Sequence, residues 1–159
     1  MARGLAKDET KASIEAFEQL KRRGHPQCPP PVVSDGWGGY AQAMLEVWGK
    51  VPEYRGRGRP PSKKRPQAGW QHLQMVKQRD SKGRVTGVQA KVVYGDEQKV
   101  RQGLLAGGTS YVERTHLTSR HMNGRLVRKT LGYSKELEML RASSMWEDAV
   151  YNLGRALKT

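Results

Sequence analysis

Acidic residues are the scarce class in this 159-residue chain: 15 Asp and Glu stand against 29 Lys and Arg, a formal net charge of +14. An excess of that sign favours a polyanionic partner, and a phosphate backbone is the commonest one. Cysteine is scarcer still. Cys28 stands alone, which excludes an intrachain disulfide framework and any multi-cysteine zinc or iron–sulfur site. No run approaches the ~20 apolar residues of a membrane helix. The opening Met1-Ala-Arg-Gly-Leu-Ala-Lys-Asp-Glu9 lacks the apolar stretch of a secretory signal. The phosphate-binding loop, the G-x-S-x-G elbow and a Cys–His nucleophile context are also missing. What remains is a soluble, cytoplasmic chain with no membrane partner. Its apolar share of 36%, with 18 glycines besides, is enough for the core of one domain.

The positive charge is concentrated. Residues 50–91 carry twelve basic side chains against Glu53 and Asp80, a net of +10, and residues 111–141 carry seven against three. The other segments balance. A solubility surface scatters its charge, so this concentration suggests a footprint. The densest part, Arg55-Gly-Arg-Gly-Arg-Pro-Pro-Ser-Lys-Lys-Arg-Pro66, is broken by glycine and proline and reads as an extended basic loop. Arg55, Arg57, Arg59, Lys63, Lys64 and Arg65 would lie along phosphates, reading charge and not sequence. The rival reading is a solvated linker or an unpositioned tail.

Periodicity predicts a mixed α/β chain. A helix is expected over Thr10–Arg23, with Ile14, Phe17 and Leu20 on one face and Asp8 or Thr10 as cap. A short strand, Val32–Asp35, leads through Gly36-Trp-Gly-Gly39 into a second helix, Tyr40–Trp48. A further short strand is expected at Val51–Tyr54. Gln71–Arg79 and Arg84–Gly95 read as a hairpin around Asp80-Ser-Lys-Gly83, with one covered face. Helices follow at Asp96–Leu105, from Thr109 onward with a kink at Asn123-Gly124, and over Lys135–Leu157.

Two carboxylates could carry chemistry. Asp35 ends an apolar strand just before glycines that let a ligand approach. Glu113 opens a helix within the second basic segment. Carboxylates among positive charge suit metal-dependent phosphodiester chemistry, in which they hold Mg²⁺ while Arg and Lys hold the substrate. Each also has a plain structural role open to it. Asp35 can close an Asx-turn or cap a helix, and Ser110-Tyr-Val-Glu113 fits a capping box. Glu113-x-x-His116, His25-x-x-Cys28 and the pair His116 and His121 are too few or too scattered for a di-iron or zinc centre. Of the four tryptophans, Trp70 beside the basic loop is the candidate for stacking on a base.

Three motifs in order then resemble bacterial transposases of the insertion sequence one family. They are Ser34-Asp-Gly-Trp-Gly-Gly-Tyr40, Thr109-Ser-Tyr-Val-Glu-Arg-Thr-His-Leu-Thr-Ser-Arg120 and Arg125-Leu-Val-Arg-Lys-Thr-Leu-Gly-Tyr-Ser-Lys135. Trp146-Glu-Asp-Ala-Val-Tyr-Asn152 is similar too, so the resemblance runs from about residue 8 onward. It implies an RNase H-like catalytic domain with a DDE carboxylate triad, two divalent metals (Mg²⁺ or Mn²⁺) and DNA as substrate. Asp35 matches the second aspartate and Glu113 the glutamate, both as catalytic residues and as metal ligands. Arg114, Arg120, Arg125, Arg128 and Lys129 would contact DNA. The family's first aspartate lies on a strand before the first helix, and no counterpart is found here. The resemblance therefore implies a partial RNase H-like domain spanning 1–159, with the basic loop and hairpin of 55–95 inserted and helices at the C-terminal end. The expected function is metal-dependent DNA strand cleavage and transfer, incomplete in this chain unless another copy or an upstream chain supplies the aspartate. The expected setting is a bacterial or archaeal nucleoid. The alternative is a non-catalytic DNA-binding protein derived from a transposase.

Overall fold

In the computed structural model, residues 3–54, 56, 58–107, 109–127, 131–132 and 134–154 are described. Five α-helices and three strands make a mixed α/β chain, ordered α1 (Glu9–Arg22), β1 (Val32–Asp35), α2 (Gly39–Trp48), β2 (His72–Arg79), β3 (Val85–Tyr94), α3 (Glu97–Leu104), α4 (Ser110–Met122) and α5 (Leu137–Ala149). The chain divides into two compact units, one built on residues 8–109 and the other on residues 110–154 with residues 5–7.

The first unit begins with a capped helix. Asp8 accepts a hydrogen bond from the Lys11 N–H at 2.8 Å, with Glu9 in the first turn and Lys21 and Arg22 in the last, matching the helix dipole at both ends. The expected apolar face turns inward: Phe17 is buried, with Ile14 and Leu20 packed beside it. It meets α2, where Ala43, Met44 and Trp48 are buried and the Phe17 and Trp48 rings lie 5.7 Å apart. The Trp48 indole donates to the His25 carbonyl at 2.7 Å, so its one polar atom is satisfied.

β1 pairs in parallel with β2, Val32 opposite His72 and Asp35 opposite Met75. A parallel pair needs a crossover, and α2 supplies it. β2 and β3 form the expected antiparallel hairpin, making a three-stranded sheet in the order β1-β2-β3. Its turn is tied by Asp80, whose carboxylate accepts from the backbone N–H groups of Lys82 and Arg84, while Gly83 takes the positive φ of 77°. Trp70 closes the core from below, edge-on to Tyr94. Leu73 and Val100 are buried outside that cluster. Gly95, at φ 103°, joins β3 to α3 where a Cβ would stand 2.5 Å from the Trp70 carbonyl oxygen.

In the second unit α4 ends at Met122 instead of bending onward. Asn123 stops it by capping a 3-10 turn, Gly124–Leu126, with its side chain accepting from the Arg125 N–H. After α5 a π-helical turn runs from Val150 to Gly154. The buried residues here are polar: Ser119, Asn123, Ser144 and Glu147. Asn123 donates to Glu147 at 3.4 Å.

Three further expectations need correction. Val51–Tyr54 is not a strand; proline and exposed side chains leave it irregular, and only Lys50 bridges to Arg65. The hairpin is covered only near its base: β2 is buried from His72 to Gln74, but from Lys77 to Arg79 and back through Thr86 both strands are exposed. The apolar face expected over Lys135–Leu157 is unburied at its far end, Leu153 being 88% exposed, and Leu157 lies outside the described residues.

Candidate functional site

Asp35 is placed by the end of β1. Its Oδ1 accepts from the Trp37 N–H at 3.1 Å, closing the Asx-turn that carries the chain through Gly36 into α2. The carboxylate is exposed, and with burial it helps raise the Tyr40 hydroxyl above its usual pKa, burial being the larger cause. Glu113 lies exposed in the first turn of α4. It belongs to the second compact unit and Asp35 to the first. Among the described residues no group of three His, Cys, Asp or Glu side chains gathers as metal ligands would. Asp35 also already gives one oxygen to a backbone N–H. Asp35 and Glu113 would need further ligands to hold a divalent metal, and no reaction step follows from the described residues alone.

The basic loop is positioned. Its two ends are clasped by backbone hydrogen bonds between Lys50 and Arg65, and Gln67 donates to the Trp48 carbonyl at 3.0 Å. Lys64 pairs with Glu46 at 2.6 Å and with the carbonyl of the same residue, so it serves as an anchor on α2 and gives little charge to a ligand. Arg59, Lys63 and Arg65 are exposed. Arg55 and Arg57 lie outside the described residues, as do Arg128 and Lys129. On and after α4, Arg114 is exposed, Arg120 is half-buried, and the exposed Arg125 donates to the Ser134 hydroxyl at 3.0 Å.

Trp70 cannot stack on a base. It is 2% exposed and packed against Tyr94.

Two features escape the sequence motifs. One is a buried polar pair: His72 Nε2 lies 2.9 Å from the Ser34 hydroxyl, one residue before Asp35. The Ser34 hydroxyl also reaches the Asp35 carbonyl at 3.0 Å, so donating there it accepts from Nε2–H. His72 Nδ1 then has no partner among the described residues. Burial holds this imidazole down to a pKa of about 4, neutral at physiological pH. Strand register alone brings the pair together, which no spacing could reveal. The other feature is the cationic end of the hairpin, visible in the charge count but not in any motif.

No helix among the described residues is long and apolar enough to cross a membrane. Comparison of the chain with protein-family models, curated proteins and solved structures returns no match.

Proposed function

We propose that this protein binds duplex DNA, through a surface derived from a DDE-type transposase. The observation that carries the proposal is the clasped basic loop. Arg59, Lys63 and Arg65 stand exposed on a segment whose ends are hydrogen-bonded to each other and whose C-terminal end is tied to α2. A linker or tail would lack that fixing, whereas a phosphate-binding surface gains from it, because less freedom is lost on binding. The resemblance of the Ser34–Tyr40 and Thr109–Arg120 motifs to insertion sequence one transposases supports DNA as the polyanion.

The test is the salt dependence of binding to a labelled duplex. Each phosphate contact adds about 0.9 to the slope of log affinity against log salt. Arg59→Gln, Lys63→Gln and Arg65→Gln together should lower the slope by about 2 to 3 and weaken binding to all sequences alike. Asp35→Asn and Glu113→Gln should leave affinity within about twofold, since neither removes a cation. An unchanged slope in the triple variant would refute the proposal.

A second reading, strand cleavage and transfer with Mg²⁺ or Mn²⁺, is favoured by the exposed Asp35 at a strand end before Gly36. It requires a carboxylate beyond Asp35 and Glu113. Metal-dependent nicking by the full chain, lost in both Asp35→Asn and Glu113→Gln, would establish it. Binding without nicking would leave the first reading alone.

A further inference from the structure

Beyond the row that pairs Asp35 with Met75, β2 and β3 continue without β1 as a two-stranded ribbon. Side chains opposite one another in an antiparallel pair share a face. Val76 pairs with Gln89 and Gln78 with Gly87, so one face carries a valine, two amides and a glycine. Lys77 pairs with Val88 on the other face, and Arg79 pairs with Val85 beyond a shift in register that follows Gln78. Lys82 and Arg84 stand at the tip. Asp80, the one acid here, spends its carboxylate on the turn's backbone. Val85 and Val88 are 50% and 54% exposed, an unusual state for strand valines.

We propose that this ribbon enters the major groove of duplex DNA, with Gln78 and Gln89 toward the base edges and the tip cations Lys82 and Arg84 toward the phosphates. The proposal rests on the DNA-binding reading above and adds a second contact surface to it. The dimensions suit a B-form groove. Two strands about 4.8 Å apart, laid along the groove with the amide face inward, fit a channel about 12 Å wide. The amide face is thin where it must approach closely. At Gly87 the nearest atom to a notional Cβ is Gln78 Oε1, at 3.4 Å. Gln78 Nε2 donates to Gln89 Oε1 at 3.4 Å, and outside that bond the pair keeps one acceptor, Gln78 Oε1, and one donor, Gln89 Nε2. That is the complement of adenine, whose major-groove edge offers an N6–H donor and an N7 acceptor. Duplex RNA is the weaker candidate, because its major groove is too deep and narrow for side chains to read.

The experiment is anisotropy of the full chain on labelled duplexes over a salt series, with Lys82→Gln/Arg84→Gln and Gln78→Ala/Gln89→Ala beside the parent. All these side chains are exposed, so thermal melts should superpose. The cation pair variant should lose about 2 from the salt slope. The amide pair variant should keep the slope and lose the parent's preference for adenine-containing duplexes. An unchanged slope in Lys82→Gln/Arg84→Gln, with the loop triple variant still lowering it, overturns the ribbon and spares the DNA-binding reading. Absence of salt-dependent binding by the parent overturns both. Equal loss of affinity for duplex DNA and duplex RNA overturns groove entry.

Discussion

His72 is fully buried and partnered through one nitrogen only, and this makes it a proton-linked weak point. Its folded pKa of about 4 lies below the ordinary value of 6.5. The unfolded chain therefore binds the extra proton first, and stability rises with pH between those values. Stability from this group is fully present above about pH 6.5 and lost as pH falls toward 4, a swing on the order of 3 kcal/mol. Urea unfolding followed by tryptophan emission at pH 7 and pH 4.5 should show the loss, and His72→Gln should flatten it. Equal pH dependence in parent and variant would place the effect elsewhere. Asp35 was legible from its neighbours, because an acid between a strand and a glycine turn is rare enough to notice. His72 was not, since its partner lies 38 residues away across a parallel pairing.

Among the elements, the joint between β3 and α3 is the least tolerant of change. Gly95→Ala would combine a positive φ with contacts of 2.5 Å to the Trp70 carbonyl and 2.8 Å to Val100. The expected cost is more than about 2 kcal/mol, read as a lowered urea midpoint at unchanged slope. The elements that could be read from sequence are those with local punctuation. Asp8 and Asp96 cap α1 and α3, Gly49 ends α2, and Asp80 with Gly83 turns the hairpin. Those that could not be read depend on what covers them. Valines alternate in β3 as they would over a core, yet Val85 and Val88 find none, because they stand on the far half of the hairpin, where both strands are exposed. Likewise the apolar spacing after Thr109 continues past Met122, but Asn123 offers its own oxygen to the backbone and ends the helix.

Across the whole molecule, every buried apolar residue among those described lies between Phe17 and Val100. Residues 110–154 bury Ser119, Asn123, Ser144 and Glu147, and leave Leu117, Met145, Trp146 and Leu153 more than half exposed. Amide hydrogen exchange should follow that division. Protection is expected to be highest in α1, α2 and β2, and α4 and α5 should exchange orders of magnitude sooner. Comparable protection in both regions would mean that burial does not govern local opening here.

Among the described residues β3 closes the sheet on one side and pairs with β2 alone. Its outer row of N–H and C=O groups is a template for another strand, apart from the Ala90 carbonyl, which accepts from Arg101 at 3.1 Å. Lys82, Arg84 and Lys91 stand along or beside that edge, and like charges on a second copy would repel it. The same cations thus act as a guard against fibrillar self-association. Concentrated salt screens them, so high ionic strength is the condition in which one edge can recruit its twin.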